Sequence, residues 1–449
     1  MRYLPHTEED RRKMMDFLEI EKVEDLFDSI PKKLRFQGKL QLPGPLAESQ
    51  LRQHFNSLAK KNMPLSKSVC FLGGGAYDHY IPAAIGQLIS RGEFYTAYTP
   101  YQAEVSQGTL QTIYEYQSLI CLLTGMDVSN ASMYDGASAL AEAAWMSHQI
   151  NRLTKVLLPE TVHPEYRRTV HTYARAMGLE VVGIPRRGAV TNLEALQKQL
   201  DDKVACLAVQ QPNFFGALEP VDRLGEMVHQ TKKGLFIAVV DPLSLGLLAR
   251  PADYGADIVV GEGQALGNPL SLGGPYLGFF ACRERYVRKM PGRIVGATLD
   301  KEGKKGFVLT LQAREQHIRR HRATSNICSN QALNALAAAI YLCLMGKEGI
   351  KEVANHCLQK ANYLKKGLQS IKGFQVLYPD PTFKEFAVKA DTPWEKVQQQ
   401  LLKGGFLAGP ALSQYYPEKD LANAFLLAVT EQRTKEEMDA LLNRLEVLS

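Results

Sequence analysis

Six short apolar runs, separated by stretches with helical patterning, constrain the fold of this chain more than any other feature. Their residues are mostly apolar and rich in branched side chains. The runs cover Lys155 to Leu158, Leu179 to Ile184, Val204 to Gln210, Leu235 to Val240, Asp257 to Val260 and Tyr276 to Ala281. Strands that are apolar on both faces predict a mainly parallel sheet covered by helices on both sides. We therefore expect a large α/β domain over residues 63–330.

The two ends of the chain have different patterns. Residues 1–62 predict short amphipathic helices, the first capped by Thr7 and the second, with Val23, Leu26, Phe27 and Ile30 on its apolar side, stopped by Pro31. A segment with so little core of its own is expected to pack on another domain or subunit.

Residues 331–449 predict a smaller α+β domain. It contains a helix from Asn330 to Met345, a second helix, short strands around 374–377, 384–389 and 425–429, and a last helix. Thr434 and Glu437 fit a capping box at the start of that last helix.

Composition excludes several classes of protein. The formal charge of +6 comes without a long basic run, and the short cluster 301–305 is read as a solvated loop rather than a nucleic-acid contact. The seven cysteines are odd in number and form no Cys-x-x-Cys pair. This predicts reduced thiols in a cytoplasmic protein and no metal site. No signal peptide or membrane-spanning run is indicated.

The strand ends point to one site. Ligands of parallel sheets bind at the carboxyl ends of the strands. The segments 159–163, 211–215 and 264–267, together with Asp241, are therefore expected to surround a common pocket.

Asp241 and Ala265 make the expected pocket unusual. In many pyridoxal phosphate enzymes an acidic residue at a strand end protonates the pyridine nitrogen, and a lysine further along the chain forms the Schiff base. Here Asp241 closes one strand, but the later segment ends on Gln264 and Ala265, and no lysine occurs between Lys233 and Lys289. The chain has the aspartate and lacks the lysine.

Each remaining pocket residue has two interpretations. Gly136, Ala137 and Ser138 open a helix whose free amides would receive a phosphate, or they form an ordinary capped helix start. His163 either stacks on a planar ring or makes hydrogen bonds near the surface. Asp241, which precedes a proline, either holds a cofactor or forms a turn.

Two further stretches concentrate polar and aromatic groups. Residues 95–104 contain Tyr98 and Tyr101, which belong to a core or interface or else line a polar pocket. Residues 314–328 place a cationic helix face before a small polar turn. That stretch could support an anion across a subunit boundary, or it could be a solvated helix.

Three long motifs resemble glycine decarboxylase, the P protein of the glycine cleavage system. They are 73–82 (GGGAYDHYIP), 98–104 (YTPYQAE) and 314–328 (REQHIRRHRATSNIC). The similarity runs over nearly the whole chain, whose length matches the amino-terminal half-protein, the first subunit of the family's two-subunit bacterial form.

The resemblance implies a fold and a division of labour. The fold would be the aspartate aminotransferase type, fold type I of the pyridoxal phosphate-dependent transferases. In the family's second subunit the segment matching Gln264–Ala265 ends in His-Lys, and that lysine carries the pyridoxal phosphate. The assembly would contain two copies of each subunit, and it would decarboxylate glycine and pass the aminomethyl group to the lipoyl arm of H protein.

The resemblance also implies roles for individual residues, with the chemistry taking place in the partner. Residues expected to line the active-site wall or the interface are Tyr98, Tyr101, Gln102, Glu104, His317, Arg319, Thr324 and Ser325. Gly136, Ala137, Ser138, His163 and Asp241 would be the relic of a cofactor cup. The alternatives are a self-sufficient pyridoxal phosphate enzyme with an unrecognised lysine, and a non-catalytic scaffold or regulator.

Overall fold

The computed structural model describes residues 5–448, which fall into two compact units divided between Met63 and Pro64. Its helices are α1 (Glu8–Phe17), α2 (Glu48–Ala59), α3 (Ala83–Ile89), α4 (Gly92–Tyr95), α5 (Gln107–Thr124), α6 (Gly136–Asn151), α7 (Pro164–Met177), α8 (Leu193–Gln197), α9 (Val221–His229), α10 (Gln316–Arg319), α11 (Ala332–Leu368), α12 (Trp394–Lys403) and α13 (Lys435–Glu446).

The strands are β1 (Val69–Leu72), β2 (Val128–Ser129), β3 (Lys155–Pro159), β4 (Glu180–Ile184), β5 (Arg186–Arg187), β6 (Val190–Thr191), β7 (Val204–Gln211), β8 (Leu235–Val240), β9 (Ile258–Glu262), β10 (Gly278–Cys282), β11 (Ile294–Leu299), β12 (Lys305–Thr310), β13 (Phe374–Val376), β14 (Glu385–Ala390), β15 (Phe406–Gly409) and β16 (Ala424–Ala428).

The first unit consists of short helices without buried residues. The expected cap of α1 is present, since the Thr7 side chain accepts from the Asp10 amide and the Asp10 side chain accepts from the Thr7 amide. The second expected helix is instead a 3-10 helix at Val23–Phe27, which ends before Pro31. Large apolar side chains such as Phe17 and Phe36 are exposed, so this unit forms no core of its own.

The second unit is built around a seven-stranded sheet in the order β2-β10-β9-β8-β7-β3-β4. Strands β4, β3, β7, β8 and β9 are parallel, as expected, because their residues are apolar on both faces. β10 pairs antiparallel with β9, and the edge strand β2 pairs antiparallel with β10, so the run expected at Tyr276 to Ala281 does not belong to the parallel set. Helices cover both faces: α6 packs on one, while α5 and α11 belong to the core cluster on the other.

The second unit also contains smaller sheets. β1 pairs in parallel with β15, and the β13-β14-β16 sheet is antiparallel. β11 and β12 form an antiparallel hairpin. The β1–β15 pair and this hairpin were not expected from the sequence. The expected boundaries at residues 62 and 330 stay predictions.

Helix α11 is two helices joined at Gly346, whose φ of 57° and ψ of −171° are not helical. This agrees with the prediction of one helix ending at Met345 and another following it. Within the described residues α11 is long and apolar enough to span a membrane. Many of its residues, from Ala335 to Leu368, are buried inside the protein, as in the core helix of a globular domain.

Candidate functional site

The strand ends do meet at one pocket. His163, Asn213, Asp241, Gln264 and Ala265 line a common cavity at the carboxyl ends of β3, β7, β8 and β9. The space inside this cavity is about 50 Å³. That volume suits a few water molecules, because other side chains of the chain occupy the rest of the cup.

Lys384 occupies the position next to Asp241. Its ammonium lies 2.6 Å from Asp241 Oδ2, and only 2% of the lysine side chain is exposed. It also lies 3.8 Å from the ring centroid of Tyr77, within cation–π distance. Asp241 Oδ1 meanwhile accepts from the Leu243 amide at 3.0 Å and caps the turn that follows. The aspartate is therefore both a turn residue and an ion-pair partner.

The Lys384 ion pair continues into a buried hydrogen-bond chain. Lys384 Nζ donates to His79 Nε2 at 2.9 Å, and His79 Nδ1 lies 2.7 Å from Glu431 Oε2. Burial, and secondarily the lysine charge, lowers the pKa of His79. A neutral His79 that accepts at Nε2 and donates at Nδ1 satisfies both neighbours. These hydrogen bonds thus connect Asp241 at the end of β8, through Lys384 just before β14 and His79 in the 73–82 loop, to Glu431 after β16.

The side chain of Glu262, the last residue of β9, lies at the amino-terminus of α6. One carboxylate oxygen accepts from the Gly136 amide at 3.1 Å, and the other accepts from the Gln264 and Leu277 amides at 3.1 and 2.9 Å. Asp135 Oδ1 accepts a hydrogen bond from the Ser138 amide at 2.7 Å. Helix amino-termini favour anions, and here that preference is met by two carboxylates of the chain itself. Burial raises the pKa of Glu262 to about 7.

His163 stacks on a ring of this chain. Its imidazole lies against Tyr166, with ring centroids 4.8 Å apart and an interplanar angle of 29°. Nε2 donates to the Gly74 carbonyl at 2.6 Å, while Nδ1 accepts from the Glu165 amide at 3.1 Å. Burial lowers the pKa of His163, in keeping with a neutral ring.

Gln264 and Ala265 also distinguish this pocket from a cofactor site. Gln264 holds the 73–82 loop, since its Oε1 accepts from the Tyr77 amide at 3.0 Å and its Nε2 donates to the Tyr77 carbonyl at 3.1 Å. Ala265 is buried and has no nucleophile.

These residues do not fit pyridoxal phosphate. The expected pyridine partner Asp241 is paired with Lys384, and the expected phosphate site at α6 is filled by Glu262. Gly136 leaves no room either, because a Cβ there would lie 2.3 Å from the Tyr166 hydroxyl.

Sequence reasoning assigned no role to Lys384, Glu262, His79 or Glu431. Only weak signals were available. The 73–82 motif carries the family resemblance but gives no role to His79, and Glu262 is a charged residue at the end of an otherwise apolar strand. Nothing local indicates that Lys384 would meet Asp241, because the two are distant in sequence and come together through the fold.

His79, Cys357 and Glu431 place three possible metal-binding atoms within 4.8 Å of one another. The imidazole already bridges Lys384 and Glu431, and burial raises the pKa of the Cys357 thiol. A protonated thiol is a poor metal ligand. The expectation of no metal site stays a prediction.

The structure brings Tyr101 and His317 together, away from the cup. Their ring centroids are 5.4 Å apart. Arg293 Nη2 donates to the Tyr101 hydroxyl at 3.0 Å, and Glu315 Oε2 lies 3.5 Å from both Arg293 Nε and His317 Nδ1. We call Tyr101, Arg293, Glu315 and His317 the Tyr101 cluster. Of the other expected wall residues nearby, the exposed ones are Tyr98, Gln102, Glu104 and Arg319.

Thr324 and Ser325 lie along α6. The Thr324 carbonyl accepts from Gln149 Nε2 at 2.9 Å, and the Ser325 hydroxyl donates to Glu142 at 2.8 Å. Burial raises the pKa of Glu142 to about 7, with the Ser325 bond opposing it. None of the eight expected wall residues lines the cup around Asp241.

Comparison with known proteins identifies the family. Residues 1–445 match the family model of the glycine cleavage system P-protein. The chain belongs to the glycine cleavage system P-protein family. It is similar to the probable glycine dehydrogenase (decarboxylating) subunit 1 of Desulforamulus reducens, with 54% identity over 449 residues and full coverage of both chains.

One solved structure supports the same assignment, and another shares the fold. A crystal structure of inhibitor-bound glycine decarboxylase (P-protein) matches with a TM-score of 0.90 and 43% identity, covering 100% of both chains. A C-DES mutant described with glycine covalently linked to its PLP cofactor matches with a TM-score of 0.62 at 15% identity, over 85% of this chain and 97% of that one. The latter likeness concerns the fold alone.

The predicted family and the fold type I α/β architecture are confirmed. The chain is part of a glycine decarboxylase enzyme complex with pyridoxal phosphate chemistry, and it has a partner subunit.

Proposed function

We propose that this chain is the subunit of glycine decarboxylase that carries no cofactor. A lysine-bearing second subunit holds the pyridoxal phosphate. The assembly decarboxylates glycine and passes the aminomethyl group to the lipoyl arm of H protein. The observation that carries this proposal is the filled cup: Lys384 pairs with Asp241, Glu262 caps α6, and the residue where the lysine is expected is Ala265.

In this proposal the exposed residues of the 95–104 and 314–328 stretches face the second subunit. Tyr98 is 80% exposed and Tyr101 is 49% exposed in this chain. Aromatic side chains with a free polar end are favoured at interfaces. The Tyr101 cluster, Gln102, Glu104, Arg319, Thr324 and Ser325 are proposed as the wall lent to the partner's active site. We also propose a cytoplasmic location, because all seven cysteines are free thiols.

Lys384 is a lysine inside the cup, so it bears on the alternative that this chain is a self-sufficient enzyme. Its ammonium lies against Asp241, the group that should instead contact the pyridine nitrogen. A lysine paired there cannot at the same time leave that carboxylate free for a cofactor. Lys384 therefore supports the non-catalytic assignment.

Reconstitution tests the proposal. The purified chain, the second subunit and their mixture are each assayed for glycine–bicarbonate exchange with lipoylated H protein. We expect exchange only from the mixture, and borohydride trapping of pyridoxal phosphate only on the second subunit. Exchange by the second subunit alone would support a scaffold role. Exchange by this chain alone, with a trapped lysine, would establish a self-sufficient enzyme.

A further inference from the structure

A second cavity lies outside the filled cup and is lined by cations. Arg288 and Lys289, at the end of the 3-10 helix that follows β10, face Arg314, Arg319 and Arg322 from the segment after β12. Thr324 also lines this cavity, whose volume is about 310 Å³. We call it the arginine cavity. Its volume lies at the lower end of the roughly 300 to 1,000 Å³ typical of small-molecule sites.

The five cations of the arginine cavity lack carboxylate partners. Among residues 5–448 none of them forms an ion pair, and no acidic side chain lines the cavity. The nearest carboxylate along the chain, Glu315, is engaged by Arg293 and His317. By contrast, Arg186, Arg250, Arg285 and Arg433 are all paired with a carboxylate. Unpaired like charges around one concavity attract a multiply charged anion.

Arg314 supplies buried donors without acceptors. One terminal nitrogen donates to the Met290 carbonyl, but Nε and Nη2 are buried without a hydrogen-bond partner. Arg319 is partly fixed, because its Nε donates to the Ala313 carbonyl at 3.0 Å. Buried donors of this kind are normally satisfied, and guanidinium groups match the oxygens of phosphate in a two-pronged geometry.

We propose that the arginine cavity is a binding site for a phosphate-class dianion. Arg314 and Arg319 hold its oxygens, Arg322 and the Arg288–Lys289 pair neutralise its charge, and the Thr324 hydroxyl supplies a neutral donor. The site is separate from the filled cup. Arg319 and Thr324 also belong to the wall proposed above, so binding is measured in the complex as well as in the isolated chain.

Calorimetric titration with inorganic phosphate tests the site, using the full chain alone and in complex with its second subunit at physiological salt. We expect saturable binding that weakens at least tenfold in Arg319→Ala/Arg322→Ala. Arg319→Lys/Arg322→Lys keeps the charge but loses the two-pronged geometry, so we expect an intermediate affinity. The matched control Arg168→Ala/Arg223→Ala removes two exposed arginines elsewhere and should bind like the parent chain.

The titrations also separate the sources of the phosphate group. Pyridoxamine phosphate that binds more tightly than inorganic phosphate, with the same dependence on Arg319 and Arg322, would assign an organic phosphate ester; equal binding would assign free phosphate. Absence of binding, or equal weakening in the control, would overturn the site. Binding to the isolated chain that disappears in the complex would also overturn phosphate as the native ligand and assign the cavity to a partner carboxylate.

Discussion

Lys384 is a buried cation that contacts groups from three separate segments of the chain. Asp241 neutralises it, His79 accepts from it, and the Tyr77 ring lies against it. Such a charge is stable only while its partners stay in place, since removal of one partner leaves the other buried and uncompensated. The filled cup therefore has a stabilising role that depends on specific residues.

Replacing Lys384 by methionine tests that role. We expect Lys384→Met to lower the free energy of unfolding by about 3 to 5 kcal/mol, because Asp241 loses its counter-charge. The double variant Lys384→Met/Asp241→Asn should recover part of the loss. Urea unfolding of the four chains of this cycle gives the coupling between the two residues.

The exposed pair Lys304–Glu302 is the matched control, with both side chains more than 70% exposed. Lys304→Met should cost less than about 1 kcal/mol. An equal loss of unfolding free energy at the two lysines, or no recovery in the double variant, would show that the buried pair does not stabilise the fold.

Glu142 gives a prediction about pH. Burial raises its pKa from 4.5 to about 7 in the folded chain. Between those values the folded state binds a proton that the unfolded state has released, so this carboxyl makes stability fall as the pH rises from 4.5 to about 7. Glu142→Gln removes the titration. It should stabilise the chain by about 2 to 3 kcal/mol at pH 8 and have little effect near pH 5.

Unfolding curves at pH 5 and pH 8 check this expectation. Glu180→Gln, at an exposed position, should shift stability equally at both values and by less than about 0.5 kcal/mol. A gain from Glu142→Gln that is the same at both pH values would contradict the assignment of the titration to this residue.

At the scale of elements, the apolar runs predicted the central sheet well. Strands β3, β7 and β8 lie where their branched residues indicated, within a residue or two. The direction of β10 was predicted less well. Its sequence is as apolar as those of the parallel strands β8 and β9, but β10 runs antiparallel to β9. The β1–β15 pair joins residues far apart in sequence, and no local periodicity can reveal such a partner.

The break in α11 is an element-scale feature that a single residue maintains. Gly346 has a φ of 57° and a ψ of −171°, a conformation that essentially only glycine adopts. Gly346→Ala should cost about 1 to 3 kcal/mol. Gly86→Ala, in α3 with open space around the new Cβ, should be neutral or stabilise by up to about 1 kcal/mol. Thermal unfolding of both variants decides the matter, and equal midpoints would refute the special role of Gly346.

At the scale of the whole molecule, the cup is filled by residues that the fold gathers from distant parts of the chain. Asp241, Gln264 and Ala265 could be placed from the sequence because they follow strands of one sheet. Lys384 could not, because it directly precedes β14, a strand of another sheet whose position depends on the packing of the complete chain. The sequence alone therefore shows that residue 265 is not a lysine, whereas the Lys384–Asp241 ion pair could not be foreseen. That residue 265 is the family's lysine position stays a prediction.

The side chains that fill the cup lead to a prediction for Ala265→Lys. A new lysine restores only one of the missing parts, since Lys384 still neutralises Asp241 and Glu262 still occupies the start of α6. We expect Ala265→Lys to form no visible aldimine with added pyridoxal phosphate and no borohydride-trapped adduct at residue 265. Ala265→Met, of similar bulk but without the amine, separates steric damage from chemistry through its unfolding midpoint.

Removing Lys384 and Glu262 as well should allow the aldimine to form. In Ala265→Lys/Lys384→Met/Glu262→Ala the aspartate and the helix amino-terminus are both released, so pyridoxal phosphate gains its two anchoring points. We expect an aldimine band and a trapped adduct at residue 265 in this chain. An adduct at residue 265 in the single variant would mean that Lys384 and Glu262 yield readily to the cofactor. A folded triple variant without an adduct would mean that Tyr166, which crowds Gly136, is enough to keep the cup closed.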